Sequence, residues 1–165
     1  MTFGNMSLVD LVRVWSSKYT VVLMPTDPED LQLSKAVYKD AMVQQSDPSA
    51  RQRVFINEEL STFGVWLALL HRCSILITVR LHALIAATST ATPVRISLKH
   101  PKQYDSKFKD FLIQTHTDHW KRFYLDPAKF DGSVETLDVL LRDLSLEQTE
   151  YEAAAKKAIA STYDA

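Results

Sequence analysis

The sequence predicts an α/β fold: a mostly parallel, Rossmann-like sheet with helices on both faces. Short continuous apolar runs alternate with segments whose apolar residues recur at helical spacing. The runs are rich in Val, Ile and Leu without polar alternation, as in strands buried on both faces. Consecutive strands are separated by a helix and little else, and such connections are crossovers between parallel strands.

Each element follows from its residues. Ser7 suits a helix N-cap ahead of Leu8, Val9, Leu11, Val12, Val14 and Trp15, which share one broad face, and this helix ends near Ser17. Tyr19 to Met24 (YTVVLM) is a buried strand closed by Pro25, Thr26 and Asp27. From Asp30 to Gln45, Leu31, Ala36, Val37, Ala41 and Met42 keep helical spacing among Lys and Asp, the pattern of a surface helix. Ser46 to Ala50 reads as loop, and Arg53 to Asn57 (RVFIN) as a second strand running into Glu58 and Glu59. Ser61 is placed to cap a helix over Thr62 to Arg72, apolar almost all round and so expected to be buried on more than one side. Ser74 to Val79 (SILITV) is the third strand, and Leu81 to Thr88 a helix that follows Arg80 with almost no loop. Pro93 stops that helix ahead of a fourth strand, Val94 to Leu98.

Beyond Lys99 the pattern loosens. Tyr104 to Gln114 is expected to be helical, His116 to Pro127 irregular with a short strand at Arg122 to Leu125, and Ser133 to Ser161 helical in one or two pieces along the outside. The expectation is one lobe over residues 1–165, with its core at 7–115 and a helical extension at 133–161.

Composition narrows the function classes. Hydrophobic residues make up 46% and charged residues 24%, and 19 basic against 20 acidic residues leave a net charge of −1. That balance supplies no field for nucleic acid or an anionic membrane, and no apolar run reaches the roughly 20 residues of a bilayer span. The lone Cys73 allows neither an internal disulfide nor a cysteine zinc cluster and reads as a buried small hydrophobe. With three glycines and no GxGxxG, P-loop or GxSxG element, neither a glycine loop for nucleotide phosphates nor serine hydrolase chemistry is supported.

Open parallel sheets bind ligands at the carboxyl ends of their strands, where helix N-termini leave N–H groups unpaired and favour anions. Those ends are Pro25 to Asp27, Asn57 to Glu59, Arg80 to His82 and Lys99 to Lys102. Arg80, flanked by hydrophobes, needs a carboxylate, a phosphate or solvent, and its planar fork suits either anion. His82, one residue beyond Leu81, presents its ring to the same region as an anion contact or a proton donor and acceptor. The alternative is a structural ion pair in which Glu58 or Glu59 neutralises Arg80. Lys99, His100 and Lys102 likewise read as a solvated loop unless an anion gathers them. His71 on an apolar helix reads as a satisfied or surface residue, and His116 and His119 beside Asp118 and Trp120 suggest a metal site but lack fixed helical ligand spacing, so no metal or cofactor is expected.

The run from Phe63 to Lys102 (FGVWLALLHRCSILITVRLHALIAATSTATPVRISLKHPK) resembles the C-terminal signature of the polysaccharide pyruvyl transferase family. Arg80, Leu81 and His82 match its Arg-Leu-His triplet, Pro93 its turn proline, and Lys102 its lysine at the same spacing, while Lys99-His100 stands where Tyr-Asp is usual and Ala91 where glycine is common. The resemblance implies the C-terminal, donor-holding lobe of a GT-B fold. It also implies a pyruvyl transferase that moves the pyruvyl group of phosphoenolpyruvate onto a sugar of a cell-surface polysaccharide as a ketal. Its implied site is Arg80 on the donor carboxylate or phosphate, Lys102 adding charge, and His82 on the phosphate or as the acid that protonates the donor methylene. Phosphoenolpyruvate and a saccharide acceptor are then the partners, the acceptor half being supplied by a further N-terminal lobe or a second subunit. The location implied is cytoplasmic, or the Golgi lumen for a eukaryotic chain whose N-terminus lies elsewhere. Two other readings stand beside it: a non-catalytic interaction module or remnant, and a lobe of a nucleotide-sugar glycosyltransferase.

Overall fold

Helices and short strands alternate through the computed structural model, which describes residues 2, 3, 5–58, 63–90, 92, 94–98, 105–116 and 121–145. A strand pair that the sequence did not announce opens the chain, β1 (Thr2–Phe3) antiparallel to β2 (Met6–Ser7). Ser7 then caps α1 (Leu8–Ser16). Its hydroxyl accepts the Asp10 N–H at 3.1 Å, and the Asp10 carboxylate accepts the Ser7 N–H at 3.1 Å, a reciprocal capping box.

After β3 (Val21–Leu23), α2 (Pro28–Gln44) starts earlier than Asp30 because Asp27 takes the N-cap and Pro28 sits in the first turn. The same pairing, Asp47 before Pro48, turns the expected loop at Ser46 to Ala50 into a helical turn, α3 (Pro48–Arg51). Next come β4 (Val54–Ile56), α4 (Phe63–Arg72), β5 (Ile75–Thr78), α5 (Leu81–Ser89) and β6 (Val94–Leu98), all at the predicted runs. They are followed by α6 (Asp105–His116), β7 (Tyr124–Leu125), a 3-10 turn (Pro127–Lys129) and a helix α7 over 134–145. Ser61, Pro93 and the predicted helix beyond 145 lie outside the described residues.

Every ladder from β3 onward is parallel, as the crossover connections require. β3 pairs with β4, Val21 opposite Val54; β5 pairs with β6, Ile75 opposite Val94; and β6 pairs with β7, Ser97 opposite Tyr124. The expectation of one sheet needs correction, because among the described residues no ladder joins β3–β4 to β5–β6–β7. With three residues in each of β3 and β4, side chains bridge that seam instead. Met24, just after β3, and Leu76 of β5 pack on the same buried group of Leu70, Ala86 and Ala87. Meanwhile α1 buries Val12 toward β3 and β4 and Leu11 toward β5 and β7. Arg80, just after β5, meets Asp27 and Asp30, which follow β3, so the carboxyl ends of these two strands are joined by side chains, and the carboxyl ends of strands are where open α/β sheets place ligands.

The alternation of β5 brings helices to both its faces. Ile75 and Ile77 pack with Leu84, Phe108, Leu112, Phe123 and Leu144, whereas Leu76 packs with Trp66, Leu67 and Leu70 of α4. The expectation that α4 is buried on several sides is corrected. Leu70 is its fully buried residue, while Phe63 and Val65 are 68% and 51% exposed. Leu70, near the C-terminus of α4, packs against Ala86 and Ala87 of α5. Cys73 is half-buried rather than enclosed, its thiol donating to the Leu69 carbonyl at 3.3 Å.

Candidate site at the carboxyl ends of β3 and β5

The turn that presents Arg80 is built by its neighbours. The buried Thr78 at the end of β5 accepts the Arg80 N–H on its hydroxyl at 2.9 Å. The Arg80 carbonyl accepts the Leu84 N–H at 3.2 Å, which begins α5. Arg80 is thus the N-cap of α5 with an extended backbone, and a guanidinium cannot accept a bond from the first-turn amides, so among the described residues no side chain caps this helix. His82 lies exposed in that first turn, with no side-chain partner among the described residues.

The guanidinium reaches across the seam. Asp30 grips it in a bidentate contact, Nε donating to Oδ2 at 3.1 Å and Nη2 to Oδ1 at 2.5 Å, and Asp27 Oδ2 lies 3.0 Å from the same Nη2. Asp30 also accepts the Thr26 hydroxyl at 2.7 Å, and Asp27 Oδ1 caps α2 by accepting the Asp30 N–H at 2.8 Å. Burial pushes the Asp30 carboxyl up, but the bonds from Arg80 and Thr26 outweigh it and leave the group below the ordinary carboxylate value. The Asp30 contact in turn raises the Arg80 guanidinium further above its already high value. The arrangement is far from enclosed, the Arg80 side chain being 46% exposed.

The alternative of Arg80 paired with Glu58 or Glu59 is therefore corrected in its partners. Glu58 bonds Lys35 at 3.3 Å, and Glu59 lies outside the described residues. The acids that meet Arg80 follow β3 rather than β4. Asp27 and Asp30 were missed because chain order does not reveal strand order. The available signal was that Pro25 to Asp27 is itself a strand end. Of the predicted residues, the structure sets Arg80 and His82 on one turn; Lys102, with Lys99 and His100, lies outside the described residues, as does the His119 region.

Along α1, an open depression of about 280 Å³ is lined by Met6, Asp10, Arg13, Val14 and Gln45. The described residues contain no group of three metal-ligating side chains, and no described helix is long and apolar enough to cross a membrane. Against known proteins, the family model for polysaccharide pyruvyl transferase matches residues 4–100, a span that holds Arg80, His82, Asp27 and Asp30 and stops short of Lys102. No curated protein and no solved structure matches the chain.

Proposed function

The chain belongs to the polysaccharide pyruvyl transferase family, and from that premise we propose that it holds the donor for transfer of pyruvate from phosphoenolpyruvate to a sugar of a cell-surface polysaccharide. The observation that carries this reading is the half-exposed Arg80 fork at the carboxyl end of β5, beside an α5 N-terminus that no described side chain caps. A small metabolite bearing both a carboxylate and a phosphate suits such a place, because charge-assisted bonds and helix amides reinforce each other there.

In the proposed reaction, Arg80 binds the donor carboxylate or phosphate and Lys102 adds positive charge from the following loop. His82 contacts the phosphate or protonates the donor methylene, converting CH2 to CH3 and leaving an electrophilic carbon that a sugar hydroxyl attacks. The bond to the phosphate oxygen breaks, a second hydroxyl closes the ketal, and inorganic phosphate leaves carrying the other hydroxyl proton. A second lobe or subunit binds the acceptor under this proposal, in the manner of a GT-B enzyme, in the cytoplasm or the Golgi lumen. The competing interaction-module reading is favoured by one observation, the exposed Phe63 stacked on Trp66 at the start of α4; it predicts concentration-dependent self-association.

Phosphoenolpyruvate at millimolar concentration is expected to raise the melting temperature, and Arg80→Ala to abolish that rise. Stabilisation by a nucleotide sugar but not by phosphoenolpyruvate would move the donor class. No response to either ligand would remove the donor-binding reading.

A further inference from the structure

Asp30 is the third residue of α2, the place that Asp10 holds in α1, but the two acids act differently. Asp10 turns its carboxylate back on its own helix and closes a capping box with Ser7. Asp30 instead sends both oxygens to a side chain 50 residues further along, Oδ2 accepting from Arg80 Nε and Oδ1 from Nη2. The Thr26 hydroxyl donates to Oδ2 at 2.7 Å and the Asp30 N–H donates to Asp27 Oδ1, which fixes the acid in that direction. A grip on Nε and Nη2 takes the edge of the guanidinium nearest its stem. Nη1 makes no hydrogen bond to any described residue. Asp27 adds an ion pair to Nη2 without a hydrogen bond.

We infer that Asp30 is a positioning residue for phosphoenolpyruvate binding: by holding Nε and Nη2 it fixes the plane of the Arg80 guanidinium and leaves Nη1 for the incoming anion. An arginine side chain is long and rotamer-rich, and immobilising one at the moment of binding weakens affinity. A guanidinium already held by its stem edge has lost that freedom before the ligand arrives. Positioning and charge have opposite signs here. As a fixed negative charge beside the site Asp30 repels an anion, so its carboxylate favours binding only through the orientation it gives Arg80. This inference rests on the donor-site reading above.

The test uses the full chain labelled with nitrogen-15, with phosphoenolpyruvate titrated into wild type, Asp30→Ala, Asp27→Asn and Arg80→Gln. The Nε–H resonance of Arg80 is assigned by its loss in Arg80→Gln. It is expected to exchange slowly with water in wild type and Asp27→Asn, and to be lost to fast exchange in Asp30→Ala. Asp30→Ala is expected to bind phosphoenolpyruvate about threefold to tenfold more weakly than wild type, the scale of ordering one long side chain anew. Titration in about 1 M salt, where the Debye length is about 3 Å, removes most of the opposing gain from the lost charge. Thr26→Val, which frees Asp30 and keeps every charge, takes its place should Asp30→Ala fail to fold. Equal or tighter binding by Asp30→Ala, or an Arg80 Nε–H that still exchanges slowly there, overturns the inference. When phosphoenolpyruvate binds wild type, fails on Arg80→Gln and binds Asp30→Ala undiminished, the donor reading stands and this inference falls. When the Nε–H resonance is lost in Asp30→Ala but phosphoenolpyruvate does not bind wild type, Asp30 still orients Arg80 and the donor reading falls.

Discussion

Replacing Gly132 by alanine tests how tightly the segment beyond α6 is locked to α1. Gly132 has φ 71°, in the left-handed region, and an added Cβ would lie 2.3 Å from Leu11 Cδ2 and 2.9 Å from Met6 Sδ. The left-handed backbone alone costs an L-residue about 1–2 kcal/mol. Leu11 is 1% exposed and packed on Phe130, so it has little room to yield, and overpacking of this kind costs about 1–3 kcal/mol. The Gly132 carbonyl also accepts the Trp15 indole N–H at 2.9 Å, so any shift to relieve the clash loosens that bond too. Together Gly132→Ala should destabilise the protein by about 2–5 kcal/mol, or about 5–15 °C in melting temperature for a chain of this size. Urea and thermal unfolding measure it, and Leu11→Ala in the same background supplies the control. Leu11→Ala opens space for the new methyl, so the double variant should be less destabilised than the sum by at least about 1 kcal/mol. A single variant within about 0.5 kcal/mol of wild type, or strict additivity with Leu11→Ala, would refute the packing argument.

Leu84 is fully buried among Phe108, Leu112, Phe123 and Leu144, so Leu84→Ala should cost about 2–5 kcal/mol in urea unfolding; a loss below about 1 kcal/mol would show that the helices around it collapse into the gap. Bonds from Lys18 and then Tyr19 hold the Asp138 carboxyl below its ordinary value. A depressed carboxylate contributes fully above its unfolded value of about 4 and loses that contribution as pH falls through the folded value. The melting-temperature gap between wild type and Asp138→Asn should therefore shrink on acidification below about pH 4, and a gap that widens contradicts the sign. Burial raises the Cys73 thiol, so iodoacetamide should label it more slowly in the native protein than in urea at neutral pH; equal rates would mean the thiol is open to solvent.

Much of the fold was legible because local chemistry decides it. Ser7 three residues before Asp10 spells a capping box, and the apolar runs at YTVVLM, RVFIN, SILITV and VRISL each supplied a strand. The missed elements are too short for periodicity to register, as with the strands at Thr2–Phe3 and Met6–Ser7 and the turn at Pro48–Arg51. At Pro28 and Pro48 an Asp-Pro pair marked the helix start more sharply than apolar spacing did. The exposure of Phe63 was not legible, because hydrophobicity tells what a residue tolerates, not which neighbours the topology provides. The candidate site divides the same way. Arg80 and His82 follow from a strand-to-helix junction readable in the chain, but the acids that meet Arg80 depend on which strand lies beside β5.

The gap between the two parallel ladders has a mechanical meaning. Within each ladder, moving one strand against another breaks backbone bonds; between the ladders the described residues offer side-chain contacts, and the Arg80 bridge to Asp27 and Asp30 is among them. Under the proposed function, an anion that captures the Arg80 fork would take away part of that restraint, so donor binding and slack between the two ladders would be thermodynamically linked.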